Sequence, residues 1–282
     1  MLEPSDHYRG GTIKAVMFDF SGTLFRIEPC ERWLRGALAA EGIEVADDEV
    51  IKYAQELERV GAQPGGQSPT AVPADLVEVW QARDLTAELH REAYTALSRA
   101  AGLPWDVHDA LYERHRTPAA WQPYPDTAQV LAGLRERGVP VAVVSNIGWD
   151  LRPIFRVHGV ADDIDAFVLS YEHEVQKPDP RLFQVALEAL GVTGDAVREA
   201  VMVGDNAAAD GGAAALGCRF LLVDPLPVAD RPDALLAVLD PPVGTEPDRA
   251  EPVGTEPDGA EPDGAEPDGA ESAHREPERH EP

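Results

Sequence analysis

From Thr12 onward the chain keeps alternating short, mainly apolar runs with helix-length amphipathic ones. TIKAVMFDF at 12–20, VPVAVVSN at 139–146, DAFVLS at 165–170, AVMVGD at 200–205 and RFLLVD at 219–224 read as strands that are β-branched and apolar almost throughout. DTAQVLAGLRERG at 126–138, with Asp126 or Thr127 as N-cap and Gly138 to close, PRLFQVALEALG at 180–191 and AAADGGAAALG at 207–217 carry helical spacing. A strand without a polar face must be covered on both sides, and strands joined through helices run parallel. The pattern predicts an α/β fold, a doubly wound parallel sheet of Rossmann-like type, with ligands at the carboxyl ends of its strands.

One long stretch breaks the alternation. Residues 26–120 contain no convincing strand but several amphipathic patterns, CERWLRGALAAEG, DDEVIKYAQELERVG and DLTAELHREAYTALSRAAG. We read this as a smaller helical cap domain inserted into a core made of 1–25 and 121–240, with GAQPGGQSPTAVP at 61–73 as a mobile loop. Beyond it, residues 241–282 repeat E-P-D-G-A, with 13 acidic side chains against three arginines. Such a composition buries too little apolar area to offset ordering entropy, so a disordered acidic tail is expected.

The net charge of -27 excludes the basic face that a nucleic-acid binder needs. Cys30 and Cys218 are too few for a disulfide framework, and no segment reads as a signal peptide or an apolar membrane span. A cytoplasmic protein without membrane or nucleic-acid partners, monomeric or homodimeric, is expected. In so acidic a chain, a phosphate site must gather cations and backbone N–H groups locally.

The first strand ends in DFSGTLF at 19–25, with Asp19, Gly22, Thr23 and Leu24. Ser145 and Asn146 follow the strand VPVAVV, Lys177 lies in QKPDP, and Asp205 and Asp210 lie in VGDNAAAD. Each element alone is common, but the ordered set spans nearly the whole core and resembles the motifs of the haloacid dehalogenase-like superfamily, in the subfamily whose helical cap follows the first motif. That resemblance implies a hydrolase with Asp19 as nucleophile, and Mg²⁺ held by Asp19, the Ser21 carbonyl, Asp205 and Asp210. It also implies that Ser145 and Lys177 hold the phosphoryl group, with Gly22, Thr23 and Asn146 lining the substrate site. The chemistry is coherent: a carboxylate attacks phosphorus when the phosphoryl charge is neutralised and the reactants are in line, and Mg²⁺ prefers hard oxygen ligands. The expected substrate is a small phosphorylated molecule, cleaved through an aspartyl-phosphate.

The family's phosphatases place a second aspartate two residues after the nucleophile, where this chain has Ser21. A serine hydroxyl is no general acid, and losing such help costs about 10²–10⁴ in rate. His90, His108 and His115 are candidate substitutes in the insert. The superfamily's 2-haloacid dehalogenases, which need neither Mg²⁺ nor a proton donor, are the chemical rival. A weakly active phospho-ligand-binding regulator is the third reading. For specificity we single out Arg26, Arg32, Trp33 and Arg35, and Trp149 as a pocket residue; Trp80, Tyr94 and Trp105 read as the insert's own core.

Overall fold

The computed structural model describes residues 12–239; the acidic repeat read as a tail lies outside them. In chain order the elements are β1 (Ala15–Phe18), β2 (Phe25–Ile27), α1 (Cys30–Ala40), α2 (Asp47–Arg59), α3 (Val77–Ala82), α4 (Ala87–Ala100), α5 (His108–His115) and β3 (Trp121–Pro123). Then come α6 (Thr127–Glu136), β4 (Val141–Ser145), α7 (Arg152–Val157), β5 (Ala166–Leu169), α8 (Ser170–His173), α9 (Pro180–Ala189), β6 (Ala200–Gly204) and β7 (Arg219–Leu222).

Five strands form one parallel sheet in the order β5-β4-β1-β6-β7. The expected Rossmann-like sheet is therefore present, and its logic is visible along β1, all four of whose residues are fully buried. Ala15 and Met17 point to the face covered by Leu182, Phe183 and Ala186 of α9, while Val16 and Phe18 point to the face holding Val130 and Leu134 of α6 and Phe155 of α7. Truncating a ring as enclosed as Phe183 in such a core costs about 3–5 kcal/mol. β1 is also where chain order switches: β4 lies on one side of it and β6 on the other, opening a crevice at its carboxyl end.

The stretch 26–120 holds the three helices anticipated, joined by α3 and α5, but its first two residues belong to strand β2 rather than to a helical segment. Trp33, Leu34, Leu38, Val50, Leu57, Leu97 and Leu111 form a hydrophobic cluster of their own. The chain enters and leaves this insert through the antiparallel pair β2–β3, with Phe25 opposite Pro123 and Ile27 opposite Trp121. Just past β2, Glu28 is buried and takes a two-pronged grip from Arg114 of α5, at 2.6 and 2.7 Å.

The segment 207–217 departs from expectation. It forms a 3-10 helix over Asp210–Leu216 rather than an α-helix. Gly211 and Gly212 weaken helical propensity there, and the Asp210 carboxylate is committed to the Asn206 N–H and to Lys177. Asp126 likewise makes no side-chain cap; its carboxylate accepts from Leu235 N instead, at 2.6 Å.

Candidate active site

Four strand ends deliver the chemistry. Asp19 follows β1, Ser145 closes β4, Asp205 follows β6, and Lys177 stands in the loop after β5 and α8. Lys177 is buried, and its Nζ donates to Asp19 Oδ1 at 2.7 Å, Asp210 Oδ1 at 2.6 Å and the Val144 carbonyl at 2.9 Å. Three ammonium protons meet three acceptors. One carboxylate oxygen from each of Asp19, Asp205 and Asp210 lies within 4.8 Å of the others.

Burial pushes the Asp19 carboxyl up to about 7, with Asp210 and Asp205 adding repulsion against the pull of Lys177. Burial and then Asp210 raise Asp205 as well. For Lys177, burial opposes the charge, yet Asp19 and Asp210 outweigh it and hold the ammonium above its ordinary value. With the three carboxylates ionised, the single lysine leaves two negative charges uncompensated, the charge of one divalent cation. The donors are all hard oxygens, which suits Mg²⁺. The backbone also makes room: Gly22 has φ +77°, and a Cβ there would stand 2.3 Å from Asp205 Oδ2.

The structure sorts the residues singled out from sequence. Asp19, Ser21, Ser145, Asn146, Lys177, Asp205 and Asp210 line one cavity of about 670 Å³. Gly22 and Thr23 do not line it. The Gly22 N–H is spent on the Phe25 carbonyl at 2.7 Å, and Thr23 is fully buried, so neither offers a group to substrate. Asn146 uses its side chain on the protein, accepting from Lys177 N at 2.7 Å and donating to Lys177 O at 3.0 Å. It holds the lysine loop.

Of the insert's polar candidates, only Arg26 and His90 reach the cavity. Burial drives His90 down to about 3 and holds His115 well below the usual range, so both rings are neutral. His108 hydrogen-bonds Ser98 instead. Arg32 pairs with Glu28, Arg35 with Asp47, and Trp33 sits in the insert's core. Trp149 is not a pocket residue: it is buried against the rings of His115 and His90, at 4.5 and 5.2 Å. Trp80 and Trp105 both pack on the insert's cluster as expected, and Trp80 also lines the cavity together with Tyr94, Arg83 and Asp84.

Sequence reasoning missed Arg231. This buried guanidinium donates to the Gly22 carbonyl at 2.8 Å and to the Thr23 carbonyl, and lies over the Tyr124 ring at 3.2 Å. It holds the loop that follows the nucleophile from a point 209 positions away in the chain. No local pattern signals such a contact.

The 61–73 loop, expected to be mobile, lies against the nucleophile loop. The Gly65 carbonyl accepts from Arg26 Nη1 at 3.3 Å and stands 3.5 Å from Ser21 Oγ. An aspartate at position 21 would turn its charge on that carbonyl, so restoring the family's usual acid demands that the loop move. Gly65 has φ +75°, and a Cβ would fall 2.6 Å from both Ser21 Oγ and Trp121 Cη2. Gly65→Ala is therefore expected to lower stability by about 1–2 kcal/mol, read from the urea midpoint, and to raise KM as the loop lifts. A larger cleft of about 790 Å³ lies near the β2–β3 passage and shares Arg26 and this loop, but it contains none of the carboxylate cluster.

A family model for the haloacid dehalogenase-like hydrolases matches residues 13–217, a span holding Asp19, Ser145, Lys177, Asp205 and Asp210. The chain belongs to the haloacid dehalogenase-like hydrolases. Within this superfamily it is similar to a phosphoserine phosphatase of Thermus thermophilus, at 39% identity over 135 residues, 46% of this chain and 51% of that protein. It is also similar to a phosphoglycolate phosphatase of Neisseria meningitidis, at 29% identity over 73% of this chain and 78% of that one. The chain thus spans about half the length of the first relative. Among solved structures, L-2-haloacid dehalogenase from Xanthobacter autotrophicus superposes with a TM-score of 0.53 at 24% identity, covering 81% of this chain and 88% of that one. That likeness speaks to the superfamily fold alone.

Proposed function

We propose that this hydrolase is a Mg²⁺-dependent phosphatase that cleaves a small phosphorylated molecule through an aspartyl-phosphate on Asp19. The observation that carries the reading is the deficit of two positive charges where Asp19, Asp205 and Asp210 meet around Lys177. Asp19, Asp205 and Asp210, with the Ser21 carbonyl, would hold the ion. When bound it would offset charge on the phosphoryl oxygens and on the carboxylates. Asp19 then attacks phosphorus in line while Lys177 fixes the attacking carboxylate, and Lys177 and Ser145 receive the phosphoryl oxygens. Water hydrolyses the acyl phosphate in the second half. The phosphatases among its relatives support this reading. Residues 26–120 serve as the cap that excludes water from the core formed by 1–25 and 121–240. The two buried free thiols suit a reducing, cytoplasmic setting.

Ser21 favours a second reading, 2-haloacid hydrolysis, because halide departure needs no proton donor. Against it, a metal-free site would keep three carboxylates crowded round one lysine. Assaying phosphate release from phosphorylated metabolites and halide release from 2-haloacids, each with Mg²⁺ and with EDTA, separates the two. Phosphate release abolished by EDTA supports the phosphatase; EDTA-insensitive halide release rejects it.

Metal binding and acid compete at Asp19. Its carboxyl is raised from 3.8 to about 7, so the proton it keeps in the metal-free fold stabilises that fold at low pH. That contribution is lost as pH rises through 7. Apparent Mg²⁺ affinity should accordingly rise with pH by up to about tenfold per unit below pH ~7 and level off above it, with proton release on binding. Titration calorimetry in buffers of different ionisation heat checks both.

A further inference from the structure

We propose that Asp84, carried by the insert, donates the leaving-group proton that Ser21 cannot supply. The inference rests on the phosphatase reading above. Four aspartates line the cavity among the described residues, and three of them crowd around Lys177. Asp84 is the fourth, in the turn between α3 and α4, on the wall that the insert supplies.

That turn is held close to the reacting groups. Gln176, the neighbour of Lys177, donates from Nε2 to the Gln81 carbonyl at 2.7 Å, three residues before Asp84. On the other side α4 rests directly on the loop after β4, where a Cβ at Gly148 would stand 2.3 Å from His90 Cβ. Asp84 itself is 3% exposed, with Arg83 Nη2 at 3.3 Å and His90 Nε2 at 3.9 Å. Two further buried polar atoms of the cavity lining, Arg83 Nε on this wall and Gln176 Oε1 on the loop that carries Lys177, have no partner within the protein, as expected where a polar ligand completes the site.

The groups facing Asp84 decide which of them carries a proton. Burial favours the neutral carboxylic acid, against the pull of Arg83 and Lys177. His90 is held neutral and has no proton of the required acidity, and burial makes Tyr94 a weaker acid than a free phenol. The carboxyl of Asp84 is the remaining donor.

The step balances. As Asp19 Oδ bonds to phosphorus, the P–O ester bond breaks and its electron pair stays on the leaving oxygen, which takes the Asp84 proton to give the free alcohol. Asp84, now a carboxylate, then takes a proton from the water that attacks the acyl phosphate. The bond from phosphorus to Asp19 breaks, and phosphate leaves with both aspartates restored.

The test compares alkyl phosphates, which need the proton, with acetyl phosphate, which leaves without it. Asp84→Asn is expected to lower kcat on alkyl phosphates by about 10²–10⁴-fold. Acetyl phosphate should still label Asp19 at the wild-type rate, and the phosphoenzyme should accumulate because its hydrolysis has lost a base. Asp84→Glu should restore part of the alkyl phosphate turnover. Equal losses in the rate at which the two substrates label Asp19, or no loss with either, overturn the assignment. The wild type provides a measure independent of any variant's folding: its rate should depend only weakly on leaving-group pKa, and a steep dependence also overturns the assignment. Absence of label on wild-type Asp19 instead rejects the phosphatase reading itself, and the assignment with it.

Discussion

Asp19→Asn is expected to abolish phosphate release, by at least about 10⁴-fold, while leaving the protein folded. The amide keeps the shape of the carboxylate and can still accept from Lys177 Nζ, now 2.7 Å from Oδ1. What it loses is the nucleophile. Because Asp19 is buried among like charges, removing its charge should also raise thermal stability in the absence of Mg²⁺. A more stable but inactive protein is the signature of a residue retained for chemistry. Comparable turnover in Asp19→Asn, measured with the same substrate and Mg²⁺, would place the nucleophile elsewhere.

Lys177→Met produces the opposite pairing, with both activity and stability lost. Its ammonium is the cation that the Asp19 and Asp210 carboxylates share in the interior. Removing one partner of such a buried network leaves charge uncompensated and costs about 3–5 kcal/mol. The penalty, read by urea unfolding without Mg²⁺, should shrink on acidification through pH ~7, since a protonated Asp19 no longer needs the lysine. Turnover should fall by at least about 10³-fold, because the group that orients Asp19 and receives phosphoryl charge is gone. Unchanged stability, or a penalty that grows at low pH, contradicts the arrangement described.

The two halves of the molecule differ in how legible they are from sequence. The sheet strands could be found because they are apolar almost throughout, a pattern that local reading detects. The 3-10 helix at Asp210–Leu216 escaped because Asp210 is bound by Lys177, 33 positions away, rather than by its own turn. Asp19 and Asp205 were identifiable because each directly follows an apolar strand, and Lys177 and Asp210 because they complete the ordered set of motifs along the chain. Arg231 and Asp84 were not. One clamps the carbonyls of Gly22 and Thr23 from the far end of the described chain, and the other reaches the cavity only because Gln81 and α4 dock against the loops holding Lys177 and Gly148. The polar residues close to the first motif, Arg32 and Arg35, were misleading for the same reason. Their partners are the buried Glu28 and the exposed Asp47, both away from the carboxylate cluster.

The proposed chemistry requires one divalent ion where the carboxylates of Asp19, Asp205 and Asp210 meet. Titrating the metal-free protein with Mg²⁺ in a calorimeter at pH 8 tests this most directly. The wild type should take up one ion, and Asp205→Asn should bind it far more weakly while still folding. No uptake by the wild type, or undiminished uptake by Asp205→Asn, would contradict it.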